Sequence, residues 1–185
     1  LSRFSWEEFS DTKTVIVLYD ESLGSATVAG SAAANNSTHQ ISYSNGAVLS
    51  ASSKNGSTFL GWIDSAGNVL SSASSFTLKP AENTTVRAAF GKATAKAWFK
   101  VDSRLYDDLN AAATYASGTS SKKIVLICDG TLQSGTYTIP SGVTLLIPFD
   151  DAHTVYEAEP KSTGTTQNAP KPFRTLTMSN GASIS

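Results

Sequence analysis

The chain has 185 residues and a formal net charge of −1, which leaves room for one large domain or two small ones and gives no bulk attraction to nucleic acid or anionic membrane. Charged residues make up only 16% of it, against about 25% in an average soluble protein, and 28 Ser, 21 Thr and 23 Ala take their place. One Cys and two His exclude a disulfide framework and a Cys/His zinc site within one chain, and the apolar runs fall well short of the 18 or so residues a membrane helix needs.

Residues 1–12 hold Phe4, Trp6 and Phe9 among acids. They read as a linker or N-terminal extension, with a short helix or an edge strand as alternatives. From Lys13 the pattern is β. Strands are expected at Thr14–Tyr19, Ser25–Val28, Ala47–Ala51, Thr58–Ile63, Val69–Leu70, Ser75–Leu78 and Thr85–Phe90. Breaker residues every 8 to 12 positions or so have the all-β spacing. Asn45-Gly46 is a strong hairpin signal, and Ala66-Gly67-Asn68 reads as a turn. In the last strand Val86, Ala88 and Phe90 share one face. The segment Ser31–Gln40 is read as a short helix or a loose loop.

The motif Phe59-x-Gly61-Trp62-x-Asp64-x-x-Gly67, followed by Phe76-Thr77-Leu78 and Asn83-x-Thr85-Val86-x-Ala88-x-Phe90, resembles the B-repeat of internalin-type bacterial surface proteins. The resemblance covers residues 13–91 and implies a small β-grasp-like domain. Phe59, Gly61, Trp62, Phe76, Val86 and Phe90 would then be its structural motif, the rings supplying a core for a domain short of apolar area.

Residues 91–95 read as a joint. Beyond them Trp98–Val101 is an expected strand. A helical stripe of Leu105, Leu109, Ala112 and Ala116 follows, capped by Asp102 or Ser103 and ended by Gly118. Lys123–Cys128 is a continuous apolar strand of the kind buried on both faces. The ten residues Thr136–Leu145 recur 39 positions later as Thr175–Ile184, with three identities. Each copy is a strand, a tight Gly turn and a strand, too small to bury its apolar face without stacking on a neighbour.

Residues 96–185 resemble the N-terminal start of a right-handed parallel β-helix, as in pectate-lyase-like surface proteins, with a capping helix and first rungs. The residues from Phe149 to Phe173 would be a loop that lengthens one rung. Two rungs leave the last one exposed, and the expectation is that the chain continues beyond Ser185 in a longer protein. The expected fold class is therefore mainly β: a small β-grasp-like domain followed by a short, truncated right-handed β-helix start with one capping α-helix.

The chemistry is sparse. Asp150, Asp151 and His153 follow a strand and are candidates for cation binding or proton transfer; a solvated turn is the competing reading. Trp98 adjoins Phe99, so the two should face opposite ways, and Trp98 is a candidate for stacking on a sugar ring. Cys128 reads as a core thiol, His39 as a loop residue, and Asp102–Asp108 as helix capping, since it lacks the Gly and Glu of an EF-hand. No catalytic residue, metal site or cofactor is assigned. The resemblances imply a non-enzymatic module of a bacterial protein, secreted or at the cell surface, acting as spacer or adhesion unit toward a host or cell-wall protein or glycan. The alternatives are the accessory N-terminal part of a polysaccharide-active β-helix enzyme and a carbohydrate-binding module.

Overall fold

The computed structural model describes residues 11–148 and 174–185. The chain is mainly β, with several sheets, no barrel and one helix among the described residues. It divides into two compact units. The first comprises residues 1–55, 59–65 and 70–90. The second comprises 56–58, 66–69 and 91–185.

In the first unit, β1 (Thr12–Leu18), β4 (Ser37–Ser42), β6 (Thr58–Asp64), β7 (Val69–Ser71) and β9 (Thr84–Gly91) form a five-stranded sheet in the order β4-β1-β9-β6-β7. β2 (Gly24–Val28), β3 (Ser31–Ala33), β5 (Ala47–Ser53) and β8 (Ser75–Leu78) form a four-stranded sheet in the order β3-β2-β5-β8. The first and last long strands, β1 and β9, lie side by side in parallel, with Val17 opposite Val86.

Period-two alternation drives Val15, Val17, Val86, Ala88 and Phe90 of the first sheet, and Ala26, Val28 and Leu49 of the second, into burial. Trp62 is fully buried. Its ring lies 6.2 Å from Phe59 and 6.0 Å from Phe76, and Phe59 meets Phe90 edge-on at 5.7 Å. Such edge-on pairs add about 0.5–1.5 kcal/mol each beyond area burial. The indole N–H donates to the Ser74 carbonyl at 3.2 Å, so the buried donor is satisfied. Gly61 has φ 152°, a backbone state that L side chains rarely adopt. The two sheets approach closely enough that a Cβ on Gly24 would stand 2.2 Å from Phe90 Cζ.

Two local expectations change here. Ser31–Gln40 is neither helix nor loose loop: β3 and most of β4 occupy it, reversed at Ala34-Asn35-Asn36, with Asn36 at φ 62° and its N–H donating to the Val17 carbonyl at 2.8 Å. The polar side chains suit strands at the margins of both sheets, where one face meets water. Asn45-Gly46 does not close a hairpin, because β4 pairs with β1 while β5 pairs with β2 and β8. The Asn-Gly turn instead carries the chain from one sheet to the other.

The second unit begins with a hairpin, β10 (Phe99–Val101) and β11 (Arg104–Tyr106), turned at Asp102, whose φ is 51°. The helix α1 (Leu109–Ser117) follows. Leu105 therefore belongs to a strand, not to the helical stripe, and the cap is Asp108 in place of Asp102 or Ser103. Asp108 Oδ1 accepts from the backbone N–H groups of Asn110 and Ala111. Leu109, Ala112, Ala113 and Ala116 form the buried helix face, and Gly118 ends the helix.

Next come β12 (Lys123–Leu126), β13 (Gly130–Leu132), β14 (Gly135–Tyr137), β15 (Thr144–Leu146), β16 (Leu176–Met178) and β17 (Ala182–Ile184). β12 pairs in parallel with β15, β13 with β16, and β14 with β17. In β12 only Ile124 and Leu126 are buried, while Lys123 is exposed and Val125 half-buried, so this strand is buried on one face, not two. The helix covers that face: Leu109, Ala112 and Ala116 join Phe99, Val101, Ile124, Leu126 and Leu132 in one core.

The earlier edges of the three strand pairs are covered by three different devices. β10 hydrogen-bonds β12 antiparallel. The Ala95–Ala97 segment pairs with Thr131 of β13: Thr131 N–H donates to the Ala95 carbonyl at 2.8 Å and Ala97 N–H to the Thr131 carbonyl at 3.3 Å. The contact is so close that a Cβ on Gly130 would meet Ala97 Cα at 2.3 Å. For β14 the cover is a side chain, the Asn110 amide of the helix.

Candidate functional site

The cover over β13 and β14 leaves a cleft of about 290 Å³ between the start of α1 and the β13–β14 corner. Its apolar lining is Ala97, Leu109 and Leu132, all buried. Its polar lining includes Lys96, Asp107, Asp108, Gln133, Ser134 and Thr136. Lys96 is carried there by its bridge to Thr131. Gln133 and Ser134 stand at the corner, where the Tyr137 hydroxyl donates to the Gln133 carbonyl at 3.0 Å and ties the turn to the strand after it.

Asp108 is committed to the helix cap, so its carboxylate faces backbone N–H groups and the positive end of the helix. One ammonium, two carboxylates, two amides and hydroxyls then line a single concavity. The lining carries one more carboxylate than ammonium and supplies donors and acceptors together, which fits an uncharged polar ligand better than an anion. The volume lies just below the roughly 300–1,000 Å³ typical of small-molecule clefts.

A shallower hollow of about 470 Å³ in the first unit is lined by Leu18, Tyr19, Asp20, Glu21, Asn35 and Arg87. Three of its polar residues, Tyr19, Asp20 and Asn35, are used for structure. Asp20 Oδ1 accepts from both the N–H and the hydroxyl of Ser22, Asn35 Oδ1 accepts from Tyr19 N–H, and the Tyr19 hydroxyl donates to the Ala33 carbonyl.

Asp150, Asp151 and His153 lie outside the described residues, as do Phe4, Trp6 and Phe9. Trp98 is only 3% exposed and Phe99 is fully buried, so both rings are covered and Trp98 offers no open face for stacking on a sugar. Asp102 accepts from the Ser121 hydroxyl at 2.8 Å. His39 lies on β4, its Nε2 2.8 Å from the Ser37 hydroxyl.

Cys128 is buried, and loss of hydration pushes its thiol above the ordinary value, against smaller lowering effects from the Trp98 backbone and Arg174. Such a thiol is a poor nucleophile at neutral pH. Among the described residues no group of three or more His, Cys, Asp or Glu is arranged to hold a metal ion.

Sequence reasoning missed the cleft because its walls are far apart in the chain: Lys96 and Gln133 meet only through the bridge to Thr131. Comparison of the chain with protein-family models, with curated proteins and with solved structures finds no match.

Proposed function

We propose that the chain is a non-enzymatic module of a bacterial secreted or cell-surface protein, built from a B-repeat-like β-grasp domain and the capped beginning of a right-handed parallel β-helix. The observation that carries this reading is the register of the three parallel strand pairs. Lys123 lies opposite Thr144, 21 positions on. Gly130 lies opposite Leu176, 46 positions on, and Gly135 opposite Ala182, 47 positions on. Leaving out the 25 positions 149–173 returns these separations to 21 and 22. One set of three short strands repeats, with extra sequence between β15 and β16, and that is the repeat logic of a solenoid.

For the first unit, support comes from the parallel neighbours β1 and β9 and from the burial of Trp62, Val86 and Phe90 in one core. A rigid stack with its earlier edges covered acts as a spacer and presents its lateral surface. The polar cleft beside the helix cap is where that surface would take up a glycan.

The test is location. Antibody detection in fractions of the producing bacterium is expected to find the protein in the medium or accessible to protease on intact cells. Recovery from the cytosol alone would overturn the proposal.

A further inference from the structure

Three Asn-Gly pairs occur in the chain: Asn45-Gly46, Asn55-Gly56 and Asn180-Gly181. Such pairs share one chemistry. The backbone nitrogen of the glycine, on losing its proton, attacks the side-chain amide carbon of the asparagine. A C–N bond forms, the amide C–N bond breaks, and ammonia leaves. Water then opens the five-membered imide at either carbonyl, giving aspartate or isoaspartate. The net change is gain of one water and loss of one ammonia, with no oxidant or other reactant.

The fold treats the three pairs differently. At the first, the attacking nitrogen is occupied: Gly46 N–H donates to the Ser42 carbonyl at 2.8 Å, and Asn45 N–H donates to the Ser42 hydroxyl at 3.0 Å. At the second, the electrophile is held: Asn55 Nδ2 donates to the Ser22 carbonyl at 2.8 Å. At the third, as at the second, both residues are exposed. The turn is closed by Ala182 N–H to the Ser179 carbonyl at 3.0 Å, and Gly181 uses its carbonyl, accepting from Gly135 N–H at 3.0 Å. Among the described residues neither the Asn180 amide nor the Gly181 N–H is engaged by a neighbour.

We infer that Asn180 is a spontaneous modification site of the folded chain, converting to aspartate or isoaspartate before Asn45 and Asn55. Its place in the stack gives the change a consequence. β17 starts at Ala182, one residue after the turn, and Gly181 stands over Ser134 closely enough that a Cβ there would lie 3.0 Å from the hydroxyl. Isoaspartate lengthens the main chain by one carbon at this corner, so β17 loses its register on β14. The Asn180 product is a form in which the last strand pair is loosened and a negative charge is added at the corner.

The experiment is timed incubation of the full chain in mildly alkaline buffer, followed by peptide mapping by mass spectrometry, with a parallel incubation in concentrated urea. In the native chain Asn180 is expected to convert several-fold faster than Asn45 or Asn55. In urea the three rates are expected to converge, because each asparagine then has only its glycine neighbour. Asn180→Gln is expected to abolish the early native conversion. Faster native conversion at Asn45 or Asn55, the same order of rates in urea as in buffer, or no conversion at Asn180 would each overturn the inference.

Discussion

The side chain of Asn110, in the first turn of the helix, closes the edge of β14: its Oδ1 accepts from Thr138 N–H at 3.0 Å and its Nδ2 donates to the Thr136 carbonyl at 3.2 Å. One amide thereby copies the two hydrogen bonds a neighbouring strand would make. Asn110→Ala removes both, in a partly hydrated setting. The expected loss is about 1 kcal/mol, within the usual range for such bonds. Asp108→Ala removes the cap two residues earlier and is expected to cost about 1 kcal/mol, with Asp108→Ser retaining most of the stability. Urea denaturation of the three variants checks both values.

Two glycines mark close approaches, and the kind of neighbour separates their consequences. A Cβ on Gly24 meets the end of the Phe90 ring, a side chain with some freedom to shift, whereas a Cβ on Gly130 meets Ala97 Cα and N, which are backbone. Gly24→Ala is expected to cost about 1–3 kcal/mol, the usual range for overpacking, and Phe90→Leu in the same chain should recover part of it. Gly130→Ala is expected to cost more, with no side-chain truncation at Ala97 restoring it. Thermal unfolding of the single and double variants, read as a mutant cycle, is the check.

Asp11 gives the chain an acid-sensitive contact. The hydroxyls of Ser42 and Ser44 donate to Asp11 Oδ2, at 2.5 Å each, and hold its carboxyl below the ordinary value, Ser42 contributing most. A carboxyl whose pKa is lower folded than unfolded stabilises the fold above the unfolded pKa. That stabilisation is lost as pH falls through the folded pKa. Asp11→Asn is expected to flatten the acid limb of the stability–pH profile and to leave the profile near neutrality shallow, as in the parent. An unchanged acid limb would refute the assignment. Because the group is solvent-exposed, the effect should also shrink with added salt where the charge of Lys13 contributes.

If the cleft beside the helix cap takes up a sugar, binding will depend on Lys96 and Gln133, which line it from opposite ends of the chain segment that builds it. Titration of the full chain with neutral cell-wall oligosaccharides is expected to shift the amide resonances of Lys96, Gln133 and Ser134, and Gln133→Ala should weaken that response without lowering stability. Shifts confined to other surfaces, or no saturable shift, would remove the cleft from the account.

Much of the first unit was legible because its strands alternate on a two-residue period and its aromatic residues are few. The burial of Val86 follows from that pattern, whereas Trp62 lies in the run Gly61–Ile63, where consecutive residues are buried, and is picked out by the motif around it. Asn45-Gly46 misled because turn chemistry specifies a reversal and not which strand the chain pairs with next; partner choice is a property of the two sheets together. The helix boundary moved because Leu105 fits a helical step as well as it fits β11; the turn at Asp102, the pairing of Leu105 with Lys100 and the extended Asp108 cap separate the two.

The repeat of Thr136–Leu145 at Thr175–Ile184 was visible, but its copies do not pair in the register of the repeat. The first strand of one copy, β14, pairs with the second strand of the other, β17. Both segments share the same strand–Gly–strand grammar, so sequence similarity alone does not choose the register. The cleft was illegible for a related reason, since no local signal links Lys96 to Gln133.

Backbone NMR reads the stacking register of these strands. Inter-strand amide contacts of parallel type are expected to link Thr131 to Thr177 and Thr136 to Ser183, with the Ser185 N–H protected by its bond to the Tyr137 carbonyl. Contacts that instead join Tyr137 to Leu176, the register of the sequence repeat, or an antiparallel pattern between these strands, would contradict it.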